Sequence, residues 1–317
     1  MRAPVFTSML LAAAVPAPAQ QAVAPAAAVP EQQLDFTNSN GRMSVPVMIS
    51  GGGPYHFIVD TGAQRTVISR ELAGSLGLLR GPDTKLTAMT GTSDVGTVVI
   101  PLISVSTLGG TRIEAPSLES RNLGAPGMLG LDTLQGSALS IDFDRQAMMV
   151  SPSTRRSRKD GAMAGDIVVR AKSVFGQLIV TDASYHGQRV RVIVDTGSSI
   201  TIGNMALRRR VTWLPRKQAL VSLTGVTGET IDLNYTHIDR FQMGEVSIAN
   251  LPIAFADAAP FRRFGLTTQP ALMLGMDTLR LFKRVRIDFA NREIRLSVAR
   301  DLAPQQGMAS EWNSIKL

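Results

Sequence analysis

The feature that most constrains this chain is an internal duplication, because short blocks of its first half return in the same order in its second half. Three blocks recur: HFIVDTGA at 56–63 returns as VIVDTGS at 192–198, GMLGLDTL at 127–134 as LMLGMDTL at 272–279, and IDF at 141–143 as IDF at 287–289. Chance similarity does not preserve order over three blocks. The sequence therefore predicts two related domains joined in one polypeptide.

Each Asp-Thr-Gly triplet lies between two segments that have the periodicity of β-strands. Apolar residues run up to Asp60 and Asp195, and a two-residue period resumes after each turn, as in Ser199-Ile200-Thr201-Ile202. Helical periodicity is brief, at 70–76, at 205–210 and in single turns after Asp132 and Asp277, which are predicted to act as N-caps or loop anchors. The predicted class is mainly β with few short helices.

The ends of the chain and one internal segment have compositions unlike those of a folded core. The start combines Met1-Arg2, an apolar stretch from Met9 to Val15 and Ala17-Pro18-Ala19, which is typical of a secretory signal peptide; a disordered cytoplasmic start is the alternative. The apolar stretch is shorter than the roughly 20 residues that span a bilayer, so no stable membrane insertion is predicted. The predicted segments are a signal peptide at 1–19, a disordered segment at 20–33, an N-terminal lobe at 34–150, a basic linker at 151–165, a C-terminal lobe at 166–300 and a tail at 301–317.

The formal charge of +8 and the absence of cysteine narrow the possible functions. Part of the positive charge lies in the run 155–159 and in Arg208–Arg210, without interleaved aromatic residues or a nucleic-acid-binding motif. Such runs are typical of solvated linkers and helix faces, so no nucleic-acid partner is predicted. Binding of nucleic acid or of an anionic membrane surface through the basic linker is kept as a rival function. Without cysteine, disulfides, thiolate zinc sites and cysteine nucleophiles are excluded.

The two Asp-Thr-Gly turns contain the residue types that a pair of catalytic carboxylates needs. Two adjacent carboxyl groups share one proton, so that Asp60 and Asp195 can act together as general base and general acid on a water molecule. The supporting residues are predicted to be Thr61, Gly62, Ala63, Thr196, Gly197 and Ser198. The threonine hydroxyls can link the turns, the glycines allow close approach of the backbone, and the Ser198 hydroxyl can add a hydrogen bond that Ala63 cannot.

These motifs resemble those of the retropepsin-like aspartic peptidases of bacteria, in a tandem, single-chain form that parallels the two-lobed arrangement of pepsin. The resemblance covers residues 34–150 and 166–298. It implies two retropepsin-like, acid-protease β-barrel lobes related by pseudo-twofold symmetry, with Gly130 and Gly275 as packing positions in a strand behind each catalytic turn. It also implies a monomer whose lobes pair within one chain.

The resemblance further implies β-hairpin flaps that cover a peptide substrate. Candidate flaps are residues 86–99, around Thr90 and Gly91, and residues 221–233, around Thr224 and Gly225. Neither arm carries the flap tyrosine of pepsin-like enzymes, so the retroviral type of lobe is the closer comparison.

Other catalytic constellations are not present in the sequence. The three histidines have no metal-ligand spacing, and there is no nucleophile elbow or phosphate-binding glycine loop, so neither a metal nor a cofactor is predicted. The sequence predicts an aspartic endopeptidase with a protein or peptide substrate, secreted across the inner membrane to the periplasm. A catalytically silent peptide-binding module of the same fold is the alternative.

Overall fold

A computed structural model describes residues 34–35, 37–39, 42–105, 109–153, 166–174 and 176–297. The predicted signal peptide, the disordered segment 20–33, the tail 301–317 and most of the basic linker lie outside the described residues. The predicted limits of the two lobes stay predictions. Within the described ranges, the helices are too short or too polar to cross a membrane.

The described part of the chain is mainly β, and its helices are short, as the strand periodicity predicted. The strands of the first half are β1 (Leu34–Asp35), β2 (Thr37–Ser39), β3 (Arg42–Ile49), β4 (Gly52–Val59), β5 (Val67–Ser69), β6 (Thr84–Thr87), β7 (Thr92–Val95), β8 (Thr97–Val105), β9 (Thr111–Leu118), β10 (Gly127–Leu129), β11 (Ser137–Asp142) and β12 (Ala147–Pro152). The strands of the second half are β13 (Asp166–Val174), β14 (Gln177–Val180), β15 (Ala183–Tyr185), β16 (Gln188–Arg189), β17 (Arg191–Val194), β18 (Ile202–Gly203), β19 (Ala219–Thr224), β20 (Thr230–Met243), β21 (Val246–Phe255), β22 (Ala271–Leu274), β23 (Arg284–Asp288) and β24 (Glu293–Ser297). The helices are α1 (Arg70–Ser75), α2 (Ser120–Leu123), α3 (Leu131–Leu134), α4 (Met205–Arg208), α5 (Ala259–Arg263) and α6 (Met276–Leu279).

Six strands of the first half close into a barrel. They follow the order β3-β4-β10-β5-β9-β8, and β8 pairs again with β3. In this ring β10 lies between β4, to which it is parallel, and β5, to which it is antiparallel. Because β4 and β5 flank the Asp60 turn, β10 supports both arms of that turn, and the Asp60 N–H donates to the Leu129 carbonyl at 2.9 Å.

The second half repeats this order as β14-β17-β22-β18-β21-β20. The counterpart of β3 is interrupted at Thr181-Asp182, so that it forms two strands, β14 and β15. The continuation β15 pairs with β20, as the end of β3 pairs with β8. The Asp195 N–H donates to Leu274 at 3.0 Å, which is the equivalent of the Asp60 contact.

A shared sheet joins the two halves on the side away from these turns. Its strands have the order β1-β12-β11-β23-β24-β13, and β11 pairs with β23 in antiparallel register, with Ser140 opposite its equivalent Arg286. One hydrophobic cluster continues from the first half into the second through these strands. The recurring IDF block therefore belongs to this joint, where the two copies lie side by side.

The glycines that follow β10 and β22 are packing positions, as the resemblance implied. A Cβ atom on Gly130 would overlap the backbone of Arg65, and one on Gly275 would overlap the backbone of Ile200. Of the two roles predicted for Asp132 and Asp277, the N-cap is wrong, because Gly130 and Gly275 hold the N-cap positions of α3 and α6, and the loop anchor is confirmed. The two aspartates lie in the first helical turn, where their carboxyl groups anchor a neighbouring loop.

Candidate active site

The two Asp-Thr-Gly turns meet at the floor of the cleft between the halves, and their threonines link them. The Thr61 hydroxyl donates to the Val194 carbonyl at 2.8 Å and accepts from the Thr196 N–H at 3.1 Å. The Thr196 hydroxyl makes the same two contacts in return, with the Val59 carbonyl at 2.7 Å and the Thr61 N–H at 3.1 Å. Both threonines are buried, so these four bonds fix the separation of the turns in a water-poor environment.

The side chains of Asp60 and Asp195 are within hydrogen-bonding reach of each other. Each carboxylate lies against the glycine of the opposite turn. A Cβ atom on Gly62 would lie 2.6 Å from the carboxyl carbon of Asp195, and one on Gly197 would overlap the carboxyl group of Asp60. The glycines are therefore required by close approach across the twofold axis.

Burial raises the pKa of both aspartates, and the surroundings make the two unequal. Asp60 accepts the Gly62 N–H at 2.8 Å and the Ala63 N–H at 3.0 Å, and these bonds, with the nearby positive charge of Arg42, partly offset the effect of burial on its pKa. The pKa of Asp195 is raised well above its ordinary value, by burial first and then by the negative charge of Asp60. The directions of the two pKa shifts favour Asp195 over Asp60 as the holder of a shared proton.

The extra hydrogen bond that the Ser198 hydroxyl was predicted to add does not reach the dyad. The Ser198 hydroxyl donates to the Ile200 carbonyl at 2.7 Å, so it serves its own turn and does not bond to Asp195. Asp195 also accepts a backbone N–H, from Gly197 at 3.0 Å, so the backbone bonds are similar on the two sides. What differs is the charge nearby: the positive charge of Arg42 lowers the pKa of Asp60, and the negative charge of Asp60 raises that of Asp195.

Behind each catalytic turn, a buried threonine and an aspartate hold the following strand. Asp132 accepts from the Thr66 N–H at 2.8 Å and from the Thr66 hydroxyl at 2.6 Å. In the second half, Asp277 accepts from the Thr201 N–H at 2.9 Å and from its hydroxyl at 2.7 Å. Burial raises the pKa of both carboxyl groups. These networks position the turns and do not face the reacting atoms.

The network of the second half has one additional member, Tyr235, whose hydroxyl donates to Asp277 at 2.8 Å. Removing the hydroxyl with Tyr235→Phe leaves a buried carboxyl oxygen without this donor, so we expect the free energy of unfolding to fall by about 1–2 kcal/mol. Urea denaturation measures the change. Tyr55→Phe is the matched control, because the Tyr55 hydroxyl has no hydrogen-bond partner among the described residues. Equal losses in the two variants would contradict the bond between Tyr235 and Asp277.

Both predicted flap segments form β-hairpins, and each hairpin reaches across to the opposite half. The tip between β6 and β7 contains Thr90 and Gly91, and the tip between β19 and β20 begins at Gly225, one residue after Thr224. Thr90 donates to the Glu229 carboxylate of the other tip at 2.9 Å. Their role in binding substrate stays a prediction.

Partly buried apolar side chains at the tips pack against the opposite halves. Met89 packs against a cluster formed by second-half residues such as Ile193, and Val226 packs against a cluster formed by first-half residues such as Ile58. The Ala259 N–H also donates to the Met89 carbonyl at 3.0 Å. The hairpins thus cover a cleft of about 750 Å³ that contains both catalytic-turn aspartates.

Sequence reasoning missed two residues in this cleft, Arg42 and Gln177. Their signal was present, since the two positions are separated by the same 135 residues as Asp60 and Asp195 (177 minus 42, and 195 minus 60). The pair differs in residue type, so a search for identical blocks does not detect it.

Two β-lobes that each contribute an Asp-Thr-Gly turn to one covered cleft define the acid-protease class of protein. Two family models match the chain: one described as "gag-polyprotein putative aspartyl protease" over residues 45–136, and one described as "Aspartyl protease" over residues 181–278. Together they cover more than half of the chain. The chain contains two aspartyl protease domains in tandem, which is consistent with the retropepsin-like, two-lobe form. No curated protein matches it at a significant level.

Proposed function

We propose that the chain is an aspartic endopeptidase that cleaves extended protein segments with a water molecule activated between Asp60 and Asp195. The observation that carries the proposal is the close approach of the Asp60 and Asp195 carboxyl groups, each against the glycine of the opposite turn, at the floor of a covered cleft. Because both aspartates come from one chain, a single copy contains a complete site, which supports a monomeric enzyme.

In the proposed reaction, ionised Asp60 removes a proton from the water while the water oxygen attacks the peptide carbonyl carbon. Protonated Asp195 donates its proton to the carbonyl oxygen, which gives a neutral tetrahedral diol. The proton on Asp60 then passes to the amide nitrogen, the C–N bond breaks, and Asp195 recovers a proton from one hydroxyl. The products are a carboxylic acid and an amine, and the dyad again holds one proton.

The covered cleft favours an extended substrate. A chain lying between the hairpins and the catalytic turns has backbone groups of β6, β7, β19 and β20 above it, so it can pair with them as an added strand does. Closure of the hairpins excludes bulk water from the dyad. For its location we propose the periplasm of a bacterial cell envelope, on the support of the signal-like sequence at 1–19.

The proposal is tested by incubating the purified protein with an unstructured protein and a peptide library in water enriched in ¹⁸O. We expect cleavage, and one ¹⁸O atom in each new carboxyl group, because the attacking water adds directly to the carbonyl. Mass spectrometry identifies both. Binding of peptides without cleavage at any pH from about 3 to 8 would instead support a catalytically silent peptide-binding module.

The pH dependence of cleavage follows from the raised pKa values of the dyad. Catalysis needs one proton on the pair: the rate rises as Asp60 ionises and falls when Asp195 loses its proton. Since burial raises the pKa of Asp60 above its ordinary 3.8, we expect the acid limb of kcat/KM to have its midpoint above pH 3.8. The decline at higher pH comes later still, because the pKa of Asp195 is raised further. An acid limb centred below pH 3.8 would contradict this assignment.

A further inference from the structure

Arg42 and Gln177 occupy equivalent positions in the two halves. Their offset of 135 (177 minus 42) equals that of the catalytic-turn aspartates. The strand register agrees, because Ser44 pairs with Ile58 in the first half and Ile179 pairs with Ile193 in the second, each partner being 135 positions further on. Both side chains line the cleft. The pseudo-twofold symmetry of the site is therefore broken here, with a cation on one side and a neutral amide on the other.

Arg42 is half-buried beside the dyad, and one of its guanidinium nitrogens donates to the Leu123 carbonyl at 2.7 Å. Its charge interacts with both Asp60 and Asp195, and its burial lowers the pKa of the guanidinium. Among the described residues no salt bridge to Arg42 is formed. A guanidinium has five N–H donors, so one backbone carbonyl leaves most of them for another ligand.

The cleft as a whole carries an excess of positive charge. The cations that line it are Arg42, Arg65, Lys85, Arg121 and Arg263, and the anions that line it are Asp60 and Asp195. With one proton shared by the dyad, five positive charges face one negative charge. Lys85 and Arg121 have carboxylate partners in Asp94 and Glu119, but Arg65 donates to the Thr84 hydroxyl and the Glu114 carbonyl, which are neutral. A ligand with negative charge complements this cleft.

Gln177 presents the opposite chemistry at the equivalent position. Its side-chain N–H₂ donates to the Gly62 carbonyl, which lies in the first catalytic turn. Gln177 is 3% exposed, and its side-chain carbonyl oxygen Oε1 has no hydrogen-bond partner among the described residues. A buried acceptor without a donor is costly, and a substrate N–H in the cleft can satisfy it. This flank therefore favours a neutral, hydrogen-bond-donating peptide segment.

We propose that Arg42 and Gln177 together set the orientation and preference of the substrate, which carries an Asp or Glu side chain on the Arg42 flank of the cleaved bond and an uncharged residue on the Gln177 flank. The inference rests on the proposed peptidase function and specifies its substrate class. Arg42 also influences the pKa of the aspartates, but that influence is the same for every substrate. Only a direct contact with the substrate makes the change in kcat/KM depend on the charge of the substrate.

The experiment compares peptides that differ only by Glu or Gln at each position flanking the cleaved bond. For the parent enzyme we expect kcat/KM to be about tenfold higher for the Glu peptide than for the Gln peptide when the residue lies on the Arg42 flank, as is typical of a partly desolvated ion pair. Arg42→Gln makes the two flanks alike, and we expect the Glu/Gln ratio to fall to about 1 on that flank. Arg42→Lys keeps the charge and retains a reduced preference. A ratio that does not change in Arg42→Gln would overturn the proposal.

A swap of the two residues tests orientation as well as charge. In the double variant Arg42→Gln, Gln177→Arg we expect the Glu preference to move to the other side of the cleaved bond. If the swapped protein does not fold, as circular dichroism shows, the ratio in Arg42→Gln alone decides the matter.

Binding separates a failure of this inference from a failure of the peptidase proposal. Fluorescence anisotropy with the Asp195→Asn variant measures the affinity for the same Glu and Gln peptides without turnover. If Asp195→Asn binds Glu peptides more tightly than Gln peptides and the parent cleaves neither, the Arg42 contact is supported and the peptidase function is refuted. If the parent cleaves both peptides equally and Asp195→Asn binds them equally, the peptidase function is supported and the Arg42 contact is refuted.

Discussion

Asp195→Asn is expected to lower kcat/KM for peptide cleavage by at least about 10³-fold, because general acid–base catalysis by a positioned group contributes factors of this size. The asparagine amide keeps the shape of the side chain but cannot supply a proton to the substrate carbonyl. Asp60→Asn removes the base that activates water, and we expect a loss of the same order. The assay is single-turnover cleavage of a quenched fluorescent peptide.

The stability of Asp195→Asn shows whether a loss of activity comes from the missing carboxyl group or from unfolding, since we expect this variant to be more stable than the parent at neutral pH. Burial raises the pKa of Asp195, so the folded protein binds a proton that the unfolded chain releases, and stability falls as pH rises from the unfolded pKa through the folded one. A neutral asparagine removes this loss. The Tm of Asp195→Asn should therefore be higher than that of the parent at pH 7, and the two values should approach each other near pH 3.

Asp144→Asn is the matched control for this comparison. Asp144 is a half-exposed carboxylate that pairs with Lys283 at 3.1 Å, away from the dyad. We expect activity within about twofold of the parent and little change in stability, since exposed ion pairs contribute little. Cleavage by folded Asp195→Asn at the parent rate would show that the dyad does not do the chemistry.

The duplication was enough to predict the fold class and the meeting of the two turns. Strand periodicity on both sides of Asp60 and Asp195 predicted a turn between strands, and equal blocks in equal order predicted two similar halves. Two like halves in one chain pair most simply about a twofold axis, which brings the equivalent residues, and so the two carboxyl groups, together. The threonine links follow from the same symmetry.

Details that depend on contacts between distant segments were not predictable in this way. Asp132 has the sequence context of an N-cap, but a buried partner, Thr66, lies 66 residues away and takes its carboxyl group. Ser198 directly follows the second Asp-Thr-Gly triplet, yet its hydroxyl donates to the Ile200 carbonyl and not to Asp195. Local side-chain bonds of this kind compete with longer-range ones, and only the coordinates show which of them forms.

Arg42 and Gln177 show a second limit of prediction from the sequence, namely that a search for repeats does not detect equivalent positions with different residues. A search for repeats detects what the two halves share, whereas the specificity of a pseudo-symmetric site depends on where they differ. Asp60 and Asp195 are identical in type in the two halves, as the proposed reaction, which needs both carboxyl groups, requires. The flanking pair is free to diverge, because a peptide has a direction and presents different side chains to the two sides.

Gly197→Ala and Gly62→Ala are expected to lower kcat/KM by about 10²-fold or more, because a displacement of about 1 Å between reacting groups has effects of this size. The methyl group added at Gly62 would lie 2.6 Å from the Asp195 carboxyl carbon, and the one added at Gly197 would overlap the Asp60 carboxyl group. The threonine links oppose separation of the turns, so the carboxyl groups themselves must move. Overpacking of this kind also lowers the free energy of unfolding by about 1–3 kcal/mol.

Gly74→Ala provides the control, because Gly74 lies in α1 with nothing within 4 Å of an added Cβ atom. Alanine favours a helix over glycine by about 1 kcal/mol, so this variant should gain stability and keep its activity. The decisive comparison is cleavage at saturating substrate by folded protein, with urea denaturation on the same samples. Full activity in Gly62→Ala or Gly197→Ala would mean that the two carboxyl groups do not need their close approach, and a water bridging them would then have to reach across a wider gap than the structure shows.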